Sequence, residues 1–385
     1  MNVFVTGVTG FLGSHFLHRR LDRPGLAAVL VRADTDEAAR ARLQRSLAVA
    51  AAAHPPSVAA TRTRVAVERG DVSREDCGLE PRRIEALRQA GIDEFWHFAA
   101  SLAFEAHRRD EIAAQNVGGA RHALELAAKL GARRFVHVST AYVAGRRTGL
   151  VPEALHPADG SFNNVYEETK CLAEHAIARA ASTRGMDCRI LRPSIVVGSS
   201  RTGRAGGSES GLYGFIRLLE ELRRALPSGR PPIRLLGDPR TPLAFVAVDR
   251  AVDDMLALAD RGFPAGPVHH LTPRRSIDAA TALAIVCAEV GTPDVRIEPA
   301  RRGERTPLEA LIDQRMEFYG GYLRDPKVFE RSPVADHEVG EDDLRRLTRE
   351  YLRELATAPA RRDPRCAAAS RTAVRSAGDR AAARL

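Results

Sequence analysis

Lysine is almost missing from this chain: Lys129, Lys170 and Lys327 are the only three in 385 residues, so arginine is the ordinary cation and a lysine is not present for charge alone. No apolar run approaches the roughly 20 residues that a membrane-spanning helix requires, which excludes such a span. Cysteines are few, odd in number and scattered (Cys77, Cys171, Cys188, Cys287, Cys366). Without a Cys-x-x-Cys pair they form neither a disulfide framework nor a zinc site, and reduced, structural thiols are expected. His269 and His270 have no cysteine or carboxylate at ligand spacing, so they read as packing or surface histidines and no metal is expected. The segment Met1 to Val5 enters a strand at once, leaving no room for a signal peptide, and the expected location is cytoplasmic.

What is present is a hydrophobic content of 44%, enough to bury a sizeable core as one large domain or two smaller ones. The formal charge is +9, but residues 358–385 hold seven arginines against Asp363 and Asp379. More than half of the excess therefore sits in an Ala/Arg-rich tail whose composition predicts disorder. The remainder is mildly basic, which suits an anionic small ligand, and no nucleic-acid partner is expected.

Chemistry concentrates in Asn163-Asn164-Val165-Tyr166-Glu167-Glu168-Thr169-Lys170. On a helix, residues four apart lie on one face, so Tyr166 and Lys170 point the same way. An ammonium beside a phenol lowers the phenol pKa, and Tyr166 is expected to be tuned toward neutrality as a proton donor or acceptor.

Along the chain, an apolar run from Asn2 to Thr6 leads into Gly7-Val8-Thr9-Gly10-Phe11-Leu12-Gly13 and a helical pattern through Leu21. Strand, glycine turn and helix in immediate succession form a pyrophosphate cradle: Gly7 for the turn, Gly10 for close approach, Gly13 for helix–strand packing, with Thr9, Phe11 and Leu12 between them. A second strand, Ala27 to Val31, ends at Arg32, the position where an arginine accommodates a 2′-phosphate. This points to NADPH with NAD as the alternative, since Asp34 follows closely; Arg42 on the next helix is a second phosphate contact. A third strand, Thr63 to Glu68, leads to Gly70-Asp71-Val72, where Asp71 meets the adenine or caps a helix. A fourth, Phe95 to Ala99, gives Ala99-Ala100-Ser101 beside the cofactor, and Asn116 reads as opening a helix. A fifth, Phe135 to Val138, delivers Ser139 and Thr140. The sixth, Gly185 to Val197, contains Arg192-Pro193-Ser194-Ile195. Gly198 to Gly214 reads as a mobile loop over a cleft, and Leu212 to Leu226 as an amphipathic helix with a solvated charged face. Phe245 to Asp249 is expected to return to the main sheet, Val268 to Leu271 to be its last strand, and the rest to about 357 to be mostly helical.

Alternating strands and helices predict an α/β fold, a Rossmann-type doubly wound parallel sheet, with a smaller, mostly helical C-terminal substrate-binding subdomain. The expected division is a nucleotide-binding core over 1–200, to which 244–272 return, with 201–243 and 273–357 as the subdomain.

Taken together, Gly7 to Gly13, Arg32, Gly70-Asp71, Ser139-Thr140-Ala141-Tyr142-Val143, Tyr166-x-x-x-Lys170 and Arg192-Pro193-Ser194 resemble an extended short-chain dehydrogenase/reductase. Leu30-Val31-Arg32-Ala33, the helical insert before Gly70-Asp71, Cys77-Gly78-Leu79 and Asn164-x-Tyr166-Glu167-x-x-Lys170 are similar to the branch containing fatty acyl-CoA reductases and thioester reductase domains. Phe318-Tyr319-Gly320-Gly321-Tyr322-Leu323 is a further, weaker likeness. Val246-Ala247-Val248-Asp249 departs from that branch in lacking its usual proline. The resemblance implies Thr140, Tyr166 and Lys170 as the catalytic set. It implies cofactor contacts from the glycine turn, Arg32, Arg42, Asp71, Val72, Ala99 to Ser101, Ser139, Tyr166, Lys170, Pro193, Ser194 and Ile195. It also implies NADPH-dependent reduction of an acyl thioester on CoA or a carrier protein, and a homodimer through the helices around Asn116 and Tyr166. The alternatives are a sugar-nucleotide epimerase or dehydratase, a ketone reductase, or a non-catalytic protein that senses cofactor redox state.

Overall fold

The structure, a computed structural model, describes residues 1–54, 63–225, 232–292, 295–300, 303–316, 320–331 and 336–357. The Ala/Pro-rich connection beyond residue 54, Leu226, Phe318-Tyr319 and the basic tail lie outside them.

Runs of Val, Ile, Leu and Phe buried on both faces cannot sit at a solvated surface, and they assemble as a parallel sheet. Its strands are β1 (Val3–Thr6), β2 (Gly25–Val31), β3 (Thr63–Arg69), β4 (Glu94–His97), β5 (Arg134–Val138), β7 (Asp187–Pro193) and β12 (Val268–Leu271), in the order β12-β7-β5-β4-β1-β2-β3. Helices α1 (Phe11–Arg20), α2 (Asp36–Ala52) and α8 (Val248–Arg261) cover one face, where Phe16, Leu17, Leu43, Val252 and Met255 meet Val5, Val29 and Trp96. Helices α3 (Pro81–Gln89), α5 (Gly119–Lys129) and α6 (Val165–Arg184) cover the other, where Leu124, Ala173 and Ile177 meet Phe4, Phe95 and Phe135. This is the doubly wound sheet expected. A short helix α4 (Arg109–Ala113) precedes α5.

The sequence reading errs where strands are short. The sixth strand is not continuous: Ser194 N donates to Leu271 O (3.2 Å) and Ile195 N to Ala244 O (3.0 Å), so the chain leaves β12 after Pro193 and changes partner. Beyond that break β8 (Ile195–Val197) pairs with β11 (Phe245–Ala247), which therefore does not rejoin the seven-stranded sheet. The region after 273 is mostly helical, as expected, but short strands stand between its helices. In the outer layer β9 (Ile233–Leu236) pairs with β14 (Val295–Glu298), β10 (Pro242–Leu243) with β13 (Ile277–Asp278), and β6 (Gly149–Val151) with β15 (Lys327–Phe329). These sit with α7 (Leu212–Ala225), α9 (Ala279–Val290), α10 (Pro307–Met316), α11 (Gly320–Arg324) and α12 (Glu341–Thr357). Tyr213, Ile216, Leu219, Phe245, Leu283, Val286, Leu344 and Tyr351 form a second core there. Among the described residues no helix is long and apolar enough to cross a membrane.

Candidate active site

The segments following β1, β4, β5 and β7 converge at the carboxyl edge of the sheet, where open α/β folds bind ligands. After β1 the chain turns through Gly7 at φ +74°, a conformation that side chains rarely adopt, and a Cβ there would lie 2.5 Å from Ala99 N. A Cβ on Gly13 would lie 2.3 Å from Gly7 O, so α1 approaches the turn only because that side chain is a hydrogen. Helix α1 starts without a side-chain cap, leaving its first N–H groups to a ligand.

A cavity of about 350 Å³ opens over this edge. Its lining brings together Gly7, Gly10, Phe11, Leu12, Gly13, Ala100, Ser139, Thr140, Tyr166, Lys170, Pro193, Ser194 and Ile195. The hydroxyls of Ser139 and Ser194 are buried there with no hydrogen-bond partner among the described residues, which fits a polar ligand arriving from the cavity. Other candidate residues stand outside the lining. Ala99 N lies behind Gly7, 3.5 Å from Thr6 Oγ1, and the Thr9 carbonyl accepts from Ser46 Oγ (3.4 Å). Arg32, Arg42, Asp71 and Val72 gather beyond β2 and β3. Arg42 Nη1 donates to Arg32 O (2.8 Å), and Arg32 Nη1 lies 3.8 Å from the Asp71 carboxylate. Asp71 Oδ1 accepts from Ser73 N and Oγ, both at 2.9 Å, so it closes a turn; α3 begins only at Pro81 and Asp71 caps no helix. Val72 O meets His122 Nδ1 at 3.0 Å. Arg69, which the sequence reading did not single out, adds a third guanidinium here, donating to Asp34 O and pairing with Asp36 at 3.3 Å.

Helix α6 begins as its sequence directs. Asn164 Oδ1 accepts from Glu167 N (2.9 Å) while the Glu167 carboxylate accepts from Asn163 N (2.9 Å), a reciprocal cap. Thr140 Oγ1 accepts from Tyr142 N (3.3 Å). The ring of Tyr142 packs on Tyr322 at 4.3 Å, bringing α11 against the cavity. The loop after β8 also reaches it: Ser208, Ser210 and Gly211 line the cavity, and Gly206 O holds His15 Nε2 at 3.0 Å. Residues 212–214, where the expected loop and the expected helix overlap, belong to the helix α7.

One electrostatic expectation fails. The Tyr166 phenol is pushed up, not down, by its apolar surroundings and the neighbouring Glu167 carboxyl. Lys170 does not offset this, because its ammonium is turned to β5: Nζ donates to Val138 O (2.8 Å) and lies 3.1 Å from His137 Nε2. Burial instead lowers the Lys170 pKa from 10.5 to about 8.

A family model with an NAD-binding designation, described as male sterility protein, matches residues 5–254. The chain belongs to the male sterility protein family. This match runs from β1 into α8, so it covers the glycine turn, Thr140, Tyr166 and Lys170, and places the chain among extended short-chain dehydrogenase/reductases. The Drosophila melanogaster protein CG8306, which carries a provisional fatty acyl-CoA reductase name, is 29% identical over 248 residues, 56% of this chain and 47% of that protein. The chain thus spans about half the length of such curated relatives. Among solved structures, the terminal R domain from the myxalamid PKS-NRPS biosynthetic pathway superposes with a TM-score of 0.70 at 22% identity, covering 93% of this chain and 92% of that one. The dTDP-glucose 4,6-dehydratase DesIV of Streptomyces venezuelae, with NAD and TYD bound, gives 0.61 at 23% identity over 92% and 98%. Both likenesses show the fold.

Within this male sterility family site, two features escaped the sequence reading. Asn116 is no cap: it is buried inside a π-helical turn (Ala114–Gly118), where Oδ1 accepts from Ser101 N (2.7 Å) and Nδ2 donates to Thr169 Oγ1 (2.9 Å). It thereby fixes the loop after β4 to the helix carrying Tyr166, a common place for a π-turn. His97 and His137 lie fully buried under the cavity edge. The signal was available, since strand alternation sets His97 with Phe95 and His137 with Phe135 on one face, where two imidazoles replace expected core side chains.

Proposed function

We propose that this protein is an NADPH-dependent reductase of an acyl thioester, carried on coenzyme A or on the phosphopantetheine arm of a carrier protein. Its product is an aldehyde and, after a second reduction, an alcohol. The observation that carries this reading is the composition of one continuous cavity. Thr140, Tyr166 and Lys170 share its lining with Leu212, Phe215, Leu235, Leu283, Val286, Ile297 and Met316, an apolar stretch that the hydroxyls of Ser208 and Ser210 interrupt. A methylene chain suits that apolar stretch, whereas the many hydroxyls and phosphates of a sugar nucleotide would find few partners along it. The same contrast favours the thioester over the epimerase and dehydratase readings.

When bound, the cofactor supplies a hydride to the carbonyl carbon. In this reading the glycine turn and the start of α1 hold its pyrophosphate, Arg32 and Arg42 its 2′-phosphate, and Ser139 and Ser194 polar groups at the nicotinamide end. Tyr166 donates its phenolic proton to the carbonyl oxygen as that oxygen gains charge. Thr140, whose oxygen is already an acceptor, directs its own proton to the same atom. Its raised pKa keeps Tyr166 protonated through the neutral range, the form that can donate, while making the phenol a weaker acid. Collapse of the resulting hemithioacetal breaks the carbon–sulfur bond, releasing aldehyde and thiol. Residues 201–243 and 273–357 act as the substrate-binding subdomain on the core of 1–200 and 244–272, and a homodimer through the helices of Asn116 and Tyr166 belongs to the same proposal.

Incubating the protein with NADPH and a series of acyl-CoA and acyl-pantetheine esters tests it. Loss of reduced nicotinamide that requires the thioester and disappears in Tyr166→Phe is expected. Turnover with sugar nucleotides and none with any thioester would refute it.

A further inference from the structure

A row of buried polar side chains crosses the sheet directly beneath the cavity. Thr6, His97 and His137 are register partners on β1, β4 and β5. Two residues back on the same strands, Phe4, Phe95 and Phe135 stack at 4.8 and 5.4 Å as an ordinary apolar layer. In the polar row, Thr6 Oγ1 lies 2.8 Å from His97 Nδ1, and the two imidazoles stack at 5.4 Å with 22° between planes. His137 Nε2 then meets Lys170 Nζ at 3.1 Å.

Packing alone does not account for imidazoles here. His97 Nε2 and His137 Nδ1 are buried with no hydrogen-bond partner among the described residues, a cost that phenyl or aliphatic side chains would not incur. Burial and the nearby ammonium hold both rings neutral. The row is explained by what it holds. Lys170 is 2% exposed, and Glu174, one turn along α6, is committed to Arg192 at 2.6 and 2.9 Å. The groups acting on the ammonium are thus His137 and Val138 O from β5, His97 from β4, and Glu174 from α6 itself. An ammonium has three N–H donors and no acceptor. Val138 O takes one, and a neutral His137 carrying its proton on Nδ1 takes a second at Nε2.

We propose that His137 is a positioning residue of the active site: with the Val138 carbonyl it holds two N–H groups of Lys170 against β5 and so presents the third to the cavity. This rests on the assignment of Lys170 to the cofactor and Tyr166 made above. The row also reaches the cofactor turn, because Thr6 immediately precedes Gly7 and its Oγ1 accepts from Ala99 N at 3.5 Å.

The scarcity of lysine makes the test direct. The full chain labelled with [13Cε]lysine carries three labelled side chains, and the signal lost in Lys170→Met belongs to Lys170. Its titration, the NADPH dissociation constant by nicotinamide fluorescence and the melting temperature are measured for the unsubstituted protein, His137→Leu and His137→Gln. The unsubstituted protein is expected to titrate near 8. In H137L the ammonium loses an acceptor, so its midpoint falls by about one unit and NADPH binding weakens about tenfold. H137Q, whose side-chain oxygen accepts, returns both toward the starting values. If both variants keep the midpoint and NADPH binding while losing only thermal stability, His137 is structural and the proposal is overturned. Should H137L not fold, 15N shifts of the imidazoles decide: a His137 protonated on Nδ1 supports the proposal and one protonated on Nε2 overturns it. K170M binding NADPH and turning over thioester at full rate would instead overturn the assignment of Lys170, whatever the His137 variants show.

Discussion

Replacing Lys170 by methionine should separate stability from activity in a way that only a buried ammonium can. Methionine has similar length and no charge. In the folded chain the lysine pKa falls from 10.5 to about 8, and with the side chain 2% exposed solvent screening is slight. That shift corresponds to about 3 kcal/mol between the two protonation states. For a base whose folded pKa is depressed, the unfolded chain binds the proton more readily. Below pH 8 both states are protonated and the whole penalty is present; between about 8 and 10.5 only the unfolded chain keeps the proton, so stability rises with pH. Methionine escapes the penalty but leaves Val138 O and His137 Nε2 without their donor, at about 1 kcal/mol or more each, so a comparison at one pH mixes two effects. Their difference across pH does not. Urea unfolding of both proteins from pH 7 to 11 should show the lysine protein gaining about 3 kcal/mol on K170M, with other titrating groups cancelling. A stability difference that stays flat with pH would refute the buried-ammonium account. Thioester-dependent NADPH oxidation should fall by about 100-fold or more in the same variant.

Three further outcomes follow from the same geometry. Gly13→Ala puts a methyl 2.3 Å from Gly7 O, which should destabilise the fold by about 1–3 kcal/mol in thermal melts and weaken NADPH binding in parallel. Arg192→Leu strands the Glu174 carboxylate, since both side chains are fully buried and paired at 2.6 Å; a loss of about 3–5 kcal/mol is expected in urea unfolding, partly recovered by adding Glu174→Leu. Arg32→Ala should raise the KM for NADPH about tenfold and leave that for NADH nearly unchanged, since only the former carries the 2′-phosphate.

The parts of this molecule legible in its sequence are those specified locally. The glycine turn, the apolar runs of the main sheet and the Tyr166–Lys170 spacing each fix conformation within a few residues, and all reach the same edge. What was not legible depends on partners far away in the chain. Strands such as Ile233–Leu236 and Val295–Glu298 are too short to display alternation and exist because they pair with each other. Ser194 could not be seen to break its strand, because the break is made by Leu271 and Ala244 competing for adjacent N–H groups. The direction of the Tyr166 shift was missed for the same reason: spacing shows that a lysine lies on the same helix face, but not that Val138 O and His137 draw its ammonium toward β5. Asn116 read as a cap because the π-turn around it is set by Ser101 and Thr169.

The most direct test of the central claim is the fate of the transferred hydrogen. With NADPH deuterated at the nicotinamide C4 position and an acyl-CoA substrate, mass spectrometry should find the label on the former carbonyl carbon of the aldehyde or alcohol, and no labelled product from Tyr166→Phe. Unlabelled carboxylic acid as the sole product, or label transferred only to a sugar nucleotide, would contradict the account.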